Sequence, residues 1–169
     1  MNLEQRIRRL EDRATISDLV ASYFLASDDD DSDGIAASFT DNATFSLSGV
    51  VNAYGRDAIV SFIETSRLSM GLTVHSPHYV RCVFESDDRA TGLVGAHLAL
   101  VIGGVSVLGA VRYVDSYVRD GEVWRFASRD MRTVYLAPWD EVGAAFASTT
   151  PVRWPGGDAA PSDFPRKSR

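Results

Sequence analysis

The sequence predicts an α+β fold in which a long, curved sheet wraps around helices formed by the first part of the chain. Two observations lead to this prediction. Residues 1–67 contain stretches with helical spacing, whereas β-branched and aromatic residues dominate from Leu72 to about Leu136. Turn signals in the second region centre near residues 87, 103 and 120, which leaves strands of roughly 13 residues, beyond the usual five or six. Antiparallel strands of that length twist and bulge, so the sheet should curl around whatever packs on its concave face.

The beginning of the chain predicts a helix with one buried stripe. Apolar side chains recur every three or four positions with charged residues between them, at Leu3, Ile7, Leu10, Ala14, Ile16, Leu19, Val20, Tyr23 and Phe24. A shorter helix is expected from about Gly34 to Phe39, with Asp31, Ser32 or Asp33 capping its free amides.

The next segments complete the expected order of elements. "FTDNATFSLSGVVNAYG" predicts a turn and two short strands, and "GRDAIVSFIETSRLSM" returns to helical spacing. Three helices interleaved with a small hairpin then precede a meander of four long, antiparallel strands. The helices should fill the concave face and leave a cone whose open end is a natural ligand pocket.

One domain is expected over residues 1–137, followed by an extension over residues 138–169. The extension contains a possible short helix and then a tail rich in Pro, Gly and Ser, which is expected to be poorly ordered or to lie on a neighbouring subunit. The core is expected to include Trp124, Phe126, Phe39 and Phe45. Two tryptophans of the extension, Trp139 and Trp154, are candidates to cap the pocket or pack on a neighbour.

Composition argues against several classes of partner. The net charge is −6, and the 17 basic residues are dispersed without a basic stripe, so nucleic acid is not an expected partner. The opening "MNLEQRIRRLEDRA" has no apolar block, which predicts neither a signal peptide nor a membrane span. The single Cys82 lies in an apolar run and cannot form an intramolecular disulfide. We therefore predict a cytoplasmic protein without a membrane partner.

Motifs for metals and nucleotides are missing from the sequence. There is no Cys-x-x-Cys, no His-Glu-x-x-His and no Gly-x-x-x-x-Gly-Lys, and "GGVSVLG" lacks the lysine and the helix of a phosphate-binding loop. A Gly-x-Ser-x-Gly nucleophile elbow is also missing. No metal and no organic cofactor are predicted.

The three histidines are the first candidates for acid-base chemistry. His75 and His78 are three residues apart, which on a strand places them on opposite faces, and Pro77 excludes a helix there. They are therefore poor joint metal ligands. His97 lies in an apolar strand whose middle should be covered by the helices. For each histidine alone, a structural or surface role is the simpler interpretation.

The run of four aspartates in "FLASDDDDSDGI" is divided by helical phase. Four residues after Phe24 the buried stripe reaches Asp28, which should point toward the pocket, whereas Asp29 and Asp30 should point outward. Asp31 suits the cap of the next helix better. The alternative is a solvated helix end, although carboxylates at a helix C-terminus oppose the macrodipole at about 0.3 to 1 kcal/mol each.

Several sequence words together resemble a known family. "RATISDLVASYFLASD", "FTDNATF", "YGRDAIVSFI", "HSPHYV" and "YVDSYVRDGEVWRFASRD" are similar to the SnoaL-like branch of the nuclear-transport-factor-two-like superfamily, over roughly residues 5–137. The resemblance implies a cystatin-like α+β barrel with a mixed or antiparallel sheet. It also implies a homo-oligomer, a dimer or a trimer, and a small-molecule substrate.

The lyases of this branch include scytalone dehydratases, hexachlorocyclohexane dehydrochlorinases and bile-acid dehydratases. They pair an aspartate at the end of the first helix with a histidine at the start of the first long strand, which correspond to Asp28 and His75. A second-strand histidine of the dehydratases corresponds to His97, and a last-strand arginine of the dehydrochlorinases corresponds to Arg129.

This sequence departs from those lyases in the residues around the pair. Ser27 stands where the fungal dehydratase has tyrosine, and Tyr23 stands where the dehydrochlorinase has lysine. Tyr23 and Tyr54 are the candidate substrate-binding residues.

The resulting prediction is a cofactor-independent lyase of the dehydratase type that acts on a small, largely apolar cyclic, polyketide-like or steroid-like substrate. His75 would be the general base, and Asp28 would fix its tautomer. His97, Arg129 and Tyr23 would be the candidate donors across the pocket that assist departure of the leaving group, with Tyr54 as a further candidate. An isomerase or cyclase with the same pair remains an alternative. So does a noncatalytic module for ligand binding or dimerisation, in which Asp28 and His75 should lie more than about 5 Å apart.

Overall fold

The computed structural model describes residues 2–165. Its helices are α1 (Leu3–Asp28), α2 (Ser32–Ser38), α3 (Arg56–Arg67) and α4 (Val142–Phe146), the last preceded by a single 3₁₀ turn, Trp139–Glu141. Its strands are β1 (Phe39–Leu47), β2 (Val50–Tyr54), β3 (Met70–Phe84), β4 (Arg89–Ile102), β5 (Val105–Asp120) and β6 (Val123–Pro138). The predicted order of three helices, a hairpin and four long strands is confirmed.

All six strands form one curved, unclosed sheet in the order β2-β1-β6-β5-β4-β3. The four long strands, β3 to β6, pair as an antiparallel meander. Strand β1 pairs in parallel with β6, the last strand of that meander. Register shifts in the β3–β4 and β5–β6 pairs are the irregularities that strands of 14 to 16 residues need in order to curl. The fold class is α+β, as predicted.

Helix α1 begins with a capping box. The Asn2 side chain accepts a hydrogen bond from the backbone N–H of Gln5 at 2.8 Å, and the Gln5 side chain accepts one from the Asn2 N–H at 2.9 Å. The first apolar positions of the predicted stripe, Leu3, Ile7 and Leu10, are exposed. Burial of the predicted apolar stripe begins at Ile16, in the second half of the helix.

The core lies between the second half of α1 and the concave face of the sheet. Its largest buried apolar side chains include Ile16, Val20, Ile35, Phe39, Ile59, Tyr113, Tyr117, Trp124, Phe126 and Leu136. The four aromatic residues that the sequence assigned to the core are all buried. Asp12, a buried carboxylate on α1, accepts hydrogen bonds from Trp124 Nε1 at 3.0 Å and from Arg119, which locks the helix to the sheet.

The described part of the extension, residues 138–165, packs on its own chain, in contrast to the expectation of a poorly ordered or exchanged tail. Pairing of β1 with β6 ends at Met131, so the last residues of β6 have a free edge. The extension fills that edge: Leu136 donates to the carbonyl of Pro151 at 3.0 Å, and Arg153 donates to the carbonyl of Leu136 at 2.6 Å. Further along, the Asp163 carboxylate accepts from the Thr133 N–H at 2.7 Å. Unpaired backbone groups explain why a Pro/Gly-rich segment is held there.

Among residues 2–165, none of the helices combines the length and the apolar character needed to cross a membrane.

Candidate active site

Asp28 is the last residue of α1, one turn beyond the buried Phe24. Its side chain is 18% exposed, whereas Asp29 and Asp30 are exposed. Asp31 caps α2 by accepting a hydrogen bond from the N–H of Gly34 at 2.9 Å. Helical phase therefore divides the acidic run as predicted, and Asp28 alone points inward.

The carboxylate of Asp28 is held by three hydrogen bonds from β3. His75 Nδ1 lies 2.6 Å from Oδ1, and the backbone N–H of His75 donates to Oδ2 at 2.8 Å. Thr73, two residues earlier on the same face of the strand, donates its hydroxyl to Oδ1 at 3.1 Å. A separation beyond about 5 Å was the expectation for a noncatalytic module, and the observed distance is half of that.

The hydrogen bonds fix the protonation pattern of the pair. Burial raises the pKa of Asp28, but the side-chain and backbone hydrogen bonds from His75 outweigh it, together with the Thr73 hydroxyl, and the net pKa is lowered. The carboxylate is therefore ionised at neutral pH and only accepts hydrogen bonds. A neutral His75 must then carry its proton on Nδ1, which leaves the lone pair on Nε2.

The imidazole of His75 is also fixed by stacking. Its ring lies over the ring of Phe24, with centroids 5.0 Å apart and an interplanar angle of 17°. Phe24 is buried and belongs to the same stripe of α1 that presents Asp28. One helix therefore supplies both the hydrogen-bond acceptor and the apolar surface that orient the ring.

His75 opens onto a cavity of about 310 Å³ between the helices and the concave face of the sheet. The walls are mostly apolar: Phe45, Leu47, Phe62, Ile63, Met70, Met131 and Trp154. The remaining lining residues carry polar or titratable groups: Tyr23, Ser27, Ser66, Arg67, Thr73, His75 and Tyr113. Such a shape, mainly apolar with a few polar groups, is typical of a small-molecule site.

Tyr23 and Tyr113 are neutral phenols on the cavity wall. Burial raises the pKa of each hydroxyl above the ordinary range, so both keep their protons and can donate hydrogen bonds. Tyr23 was a predicted site residue, and the cavity does contain it. Tyr113 was not predicted from the sequence. It lies two residues after Val111 on β5 and so shares its face of the strand, and both side chains are buried on the concave face.

Arg129 does not line the cavity, which corrects the expectation that it donates directly across the pocket. Its side chain is fully buried behind the two tyrosines. The guanidinium carbon lies 4.3 Å from the Tyr23 ring centroid and 4.0 Å from that of Tyr113, with Phe24 and Phe126 completing an aromatic box. Any influence of Arg129 on a bound molecule passes through those rings.

The partner of Arg129 is Asp115, which is likewise buried. Arg129 Nε and Asp115 Oδ1 are 3.7 Å apart, an ion pair without a hydrogen bond, and Tyr117 donates its hydroxyl to Oδ2 at 2.9 Å. Burial raises the pKa of Asp115 to about 6, against the opposing effects of Arg129 and Tyr117.

His97 and Tyr54 are not at the cavity, and their predicted roles are corrected. Both neighbours of His97 on β4 are buried, so its own exposed side chain points to the convex face, where it hydrogen-bonds His78. The sequence had placed that strand under the helices without fixing which alternate residues face them. Tyr54 is 69% exposed on β2, far along the sheet from β3.

Most of the other lining residues were not predicted as site residues, and Thr73, Arg67 and Trp154 show why. Thr73 had a signal, because it precedes His75 by two positions and must share its face. Arg67 had none, because its location depends on how α3 packs against the end of α1. Trp154 was considered as a cap, and the extension does bring it to the cavity.

Within the described residues 2–165, no group of three or more His, Cys, Asp or Glu side chains is spaced to hold a metal ion.

Comparison with known proteins gives consistent results. Residues 8–130 match the SnoaL-like domain family. Gamma-hexachlorocyclohexane dehydrochlorinase of Sphingobium indicum is 29% identical over 133 residues, which cover 77% of this chain and 85% of that protein.

Solved structures agree with the fold. The crystal structure of LinA has a TM-score of 0.73 at 27% identity and covers 79% of this chain and 92% of its own. LinA-type3 hexachlorocyclohexane dehydrochlorinase from Novosphingobium barchaimii has a TM-score of 0.73 at 25% identity, covering 79% and 93%. A protein of unknown function with a cystatin-like fold from Nostoc punctiforme has a TM-score of 0.63 at 14% identity, covering 72% and 90%, and supports the fold alone. From its own motifs and from a match that spans most of its length, the chain belongs to the SnoaL-like domain family.

Proposed function

We propose that this protein is a cofactor-independent lyase that eliminates water, or another small leaving group, from a small and largely apolar cyclic, polyketide-like or steroid-like substrate. The observation that carries the proposal is the 2.6 Å contact between His75 Nδ1 and Asp28 Oδ1 at the wall of the cavity. A neutral imidazole with a fixed tautomer is a suitable general base near neutral pH.

In the proposed reaction, His75 Nε2 removes a proton from a carbon next to an activating group. Asp28 stabilises the imidazolium that forms and is itself not protonated. The electron pair of the broken C–H bond forms the new double bond as hydroxide leaves the neighbouring carbon. The imidazolium returns its proton to the hydroxide, so that water departs and the base is regenerated. Tyr23 and Tyr113, which line the same cavity, would donate hydrogen bonds to the departing oxygen.

The relatives support elimination as the reaction type. Two curated relatives, each 29% identical over 133 residues, are named as dehydrochlorinases of hexachlorocyclohexane. Elimination of hydrogen chloride and of water both begin with a base placed beside a carbon-bound proton. Ser27 and Tyr23 depart from the residues that the lyases of this branch have at these positions. We therefore infer the reaction class from these relatives, and we do not infer that this protein shares their substrate.

The test is a substrate screen followed by substitution. Cyclic β-hydroxy ketones and halogenated cycloalkanes would be incubated with the protein, with product double bonds followed by absorbance and released halide by ion chromatography. For a turned-over substrate, His75→Ala is expected to lower kcat by about 10² to 10⁴, the usual contribution of a general base. Asp28→Asn is expected to lower kcat as well, because it permits the wrong tautomer.

Matched controls exist beside both residues. Asp29→Asn removes an exposed carboxylate one position along, and His78→Ala removes an exposed imidazole on the same strand. Both are expected to keep kcat within twofold. If His75→Ala and Asp28→Asn also stayed within twofold while folding normally, the proposal would be wrong. Products with a shifted double bond and no released water would favour the isomerase alternative.

We also propose that the protein is a cytoplasmic homo-oligomer, with residues 138–169 acting as an extension of the domain in residues 1–137. The convex face supports self-association, because Val83 and Val114 on it are 48% and 38% exposed. Sedimentation equilibrium would distinguish dimer from trimer, and a monomer at micromolar concentration would contradict the proposal.

A further inference from the structure

Arg67 is the one lining residue of the cavity that brings a permanent positive charge to it, among the residues described. It is the last residue of α3, and its side chain is only 14% exposed. A charged group on an otherwise apolar wall restricts which molecules bind there, because a buried charge needs a partner of opposite charge or a hydrogen-bond acceptor.

Most of the guanidinium is already occupied by protein groups. Nη2 donates to the carbonyls of Ala26 and Ser27, at 2.9 and 3.0 Å, and Nε lies 3.0 Å from Asp30 Oδ1. These contacts place a cation at the end of α1, where the helix dipole favours it. They account for two of the three nitrogens and hold the planar group in one orientation.

The third nitrogen, Nη1, has no acceptor among residues 2–165, and it is not one of the buried atoms closed off from solvent. Arg67 lines the cavity, and of its three nitrogens Nη1 is the one left without an acceptor among the described residues for a molecule that binds there. Ser27 and Ser66 also line the cavity. Together these three residues form what we call the polar corner.

The polar corner borders the proposed base. Arg67 bonds the carbonyl of Ser27, which directly precedes Asp28, and Asp28 bonds His75. Arg67 and His75 also line the same cavity, so one bound molecule can contact both side chains. Positive charge at that position stabilises negative charge that develops on an oxygen when the proton leaves.

We propose that Arg67 is a specificity-determining residue that binds an electron-rich oxygen of the substrate, either a carbonyl that becomes an enolate or a carboxylate. This inference rests on the proposed function and narrows its substrate class to apolar rings bearing such an oxygen. For a carbonyl substrate the elimination then has two stages. The C–H bond next to the carbonyl breaks, His75 Nε2 takes the proton, and the electron pair moves onto the carbonyl oxygen bound by Arg67. The enolate then returns that electron pair, which forms the new C=C bond as hydroxide leaves the neighbouring carbon.

Binding of three probes of equal shape tests the inference without turnover. The probes are 1-isopropylnaphthalene, 1-acetylnaphthalene and 1-naphthoate, which present no oxygen, a carbonyl and a carboxylate. Dissociation constants would be measured by calorimetry or competition at about pH 8, where an ordinary imidazole is neutral. The wild type is expected to bind at least one oxygen-bearing probe about tenfold or more tightly than the hydrocarbon, as a charge-assisted hydrogen bond allows.

Substitution separates recognition from a structural role. Arg67→Met should abolish the preference for oxygen while leaving hydrocarbon binding within twofold, and Arg67→Lys should keep part of it because the charge remains. Arg56→Met is the matched control, since Arg56 also bonds a backbone carbonyl and an aspartate at the other end of α3 but does not line the cavity. The Arg56→Met variant should prefer the oxygen-bearing probes over the hydrocarbon as strongly as the wild type does.

Three outcomes would overturn the inference. The first is that the wild type binds the oxygen-bearing probes no more tightly than the hydrocarbon. The second is that Arg67→Met and Arg67→Lys both lose the same affinity for all three probes. The third is that Arg67→Met keeps the wild-type preference for the oxygen-bearing probes. The same binding series in His75→Ala separates this inference from the proposed function. Oxygen preference without any turnover would leave only the lyase proposal wrong, and turnover without the preference would leave only the role of Arg67 wrong.

Discussion

Asp28 and His75 are 47 residues apart in the chain, yet their side chains meet at 2.6 Å between Oδ1 and Nδ1. The contact joins the last residue of α1 to the edge strand β3. A second bond, from the His75 backbone to the same carboxylate at 2.8 Å, fixes the strand relative to the helix. The pair is therefore both a structural joint and the chemical centre of the proposed site.

Acid should weaken this joint. The folded-state pKa of Asp28 is lowered, so its carboxylate contributes stability at pH values above its unfolded pKa, about 4, and loses that contribution as pH falls through the lower folded value. Urea unfolding between about pH 5 and pH 2 should show a shallower loss of stability for Asp28→Asn than for the wild type. Asp29→Asn, with its exposed side chain, should keep the wild-type slope. Equal slopes in all three proteins would contradict the prediction.

Asp115 should act on stability with the opposite sign. Burial raises its pKa to about 6, above the unfolded value near 4, so the folded state holds the proton more tightly. Its contribution to stability is then full below about pH 4 and is lost as pH rises through about 6, with a total of the order of 3 kcal/mol. In Asp115→Asn that falling component should vanish from urea unfolding curves between pH 4 and pH 7. A wild-type pH dependence retained by the variant would exclude Asp115 as its source.

Arg129 and Asp115 should be strongly coupled. Arg129→Met leaves a buried carboxylate without its cation and is expected to lower the free energy of unfolding by about 3 to 5 kcal/mol. Adding Asp115→Asn should recover part of that loss, which a double-mutant cycle measures as a coupling energy above about 1 kcal/mol. Arg132→Met breaks a pair with Asp130 on the same strand in which the arginine side chain is 39% exposed, and it should change stability by less than about 1 kcal/mol. Additive losses in the cycle would show that the pair is not coupled.

Trp154 should contribute to the affinity of the cavity for apolar molecules. It lines the cavity from the extension, whereas Trp139 is 63% exposed and does not. Trp154→Ala removes a large apolar surface from the wall and is expected to weaken binding of a naphthalene probe about tenfold. Trp139→Ala should leave the dissociation constant within twofold. Equal effects of the two substitutions would mean that the wall is formed without Trp154.

His97 should be dispensable for turnover. It lies on the convex face, hydrogen-bonded to His78, and the sheet separates it from the cavity. His97→Ala should therefore keep kcat and KM within twofold of the wild type on any substrate found by the screen. A loss comparable with that of His75→Ala would show that the convex face takes part in catalysis.

Predictable features were those with a local physical cause. Helical phase is enough to single out Asp28 from its neighbours and to assign Asp31 to the next helix cap. Strand period is enough to place His75 and His78 on opposite faces. Those rules need only the spacing along one element, which the sequence displays directly.

Features that depend on two or more elements were not predictable in the same way. Arg129 could be assigned to the last strand, but only packing shows that Tyr23 and Tyr113 lie between it and the cavity. The sequence also did not decide which side chains of β4 face the helices, because apolar residues occupy both sets of alternate positions. In the structure, His97 lies on the convex face. The extension was expected to be poorly ordered because it is rich in Pro, Gly and Ser. Its composition does not reveal that the last residues of β6 have an unpaired edge to which it can bond.

The sequence by itself determined the order of elements, the family and the two residues that the proposed chemistry needs, since period and motif are properties of the chain. The tertiary structure alone decided that Asp28 touches His75, that Arg129 is buried behind two tyrosines, and that Arg67 lines the cavity. Distances between elements are set by how side chains fill the space between a helix and a curved sheet, and no single element carries that information.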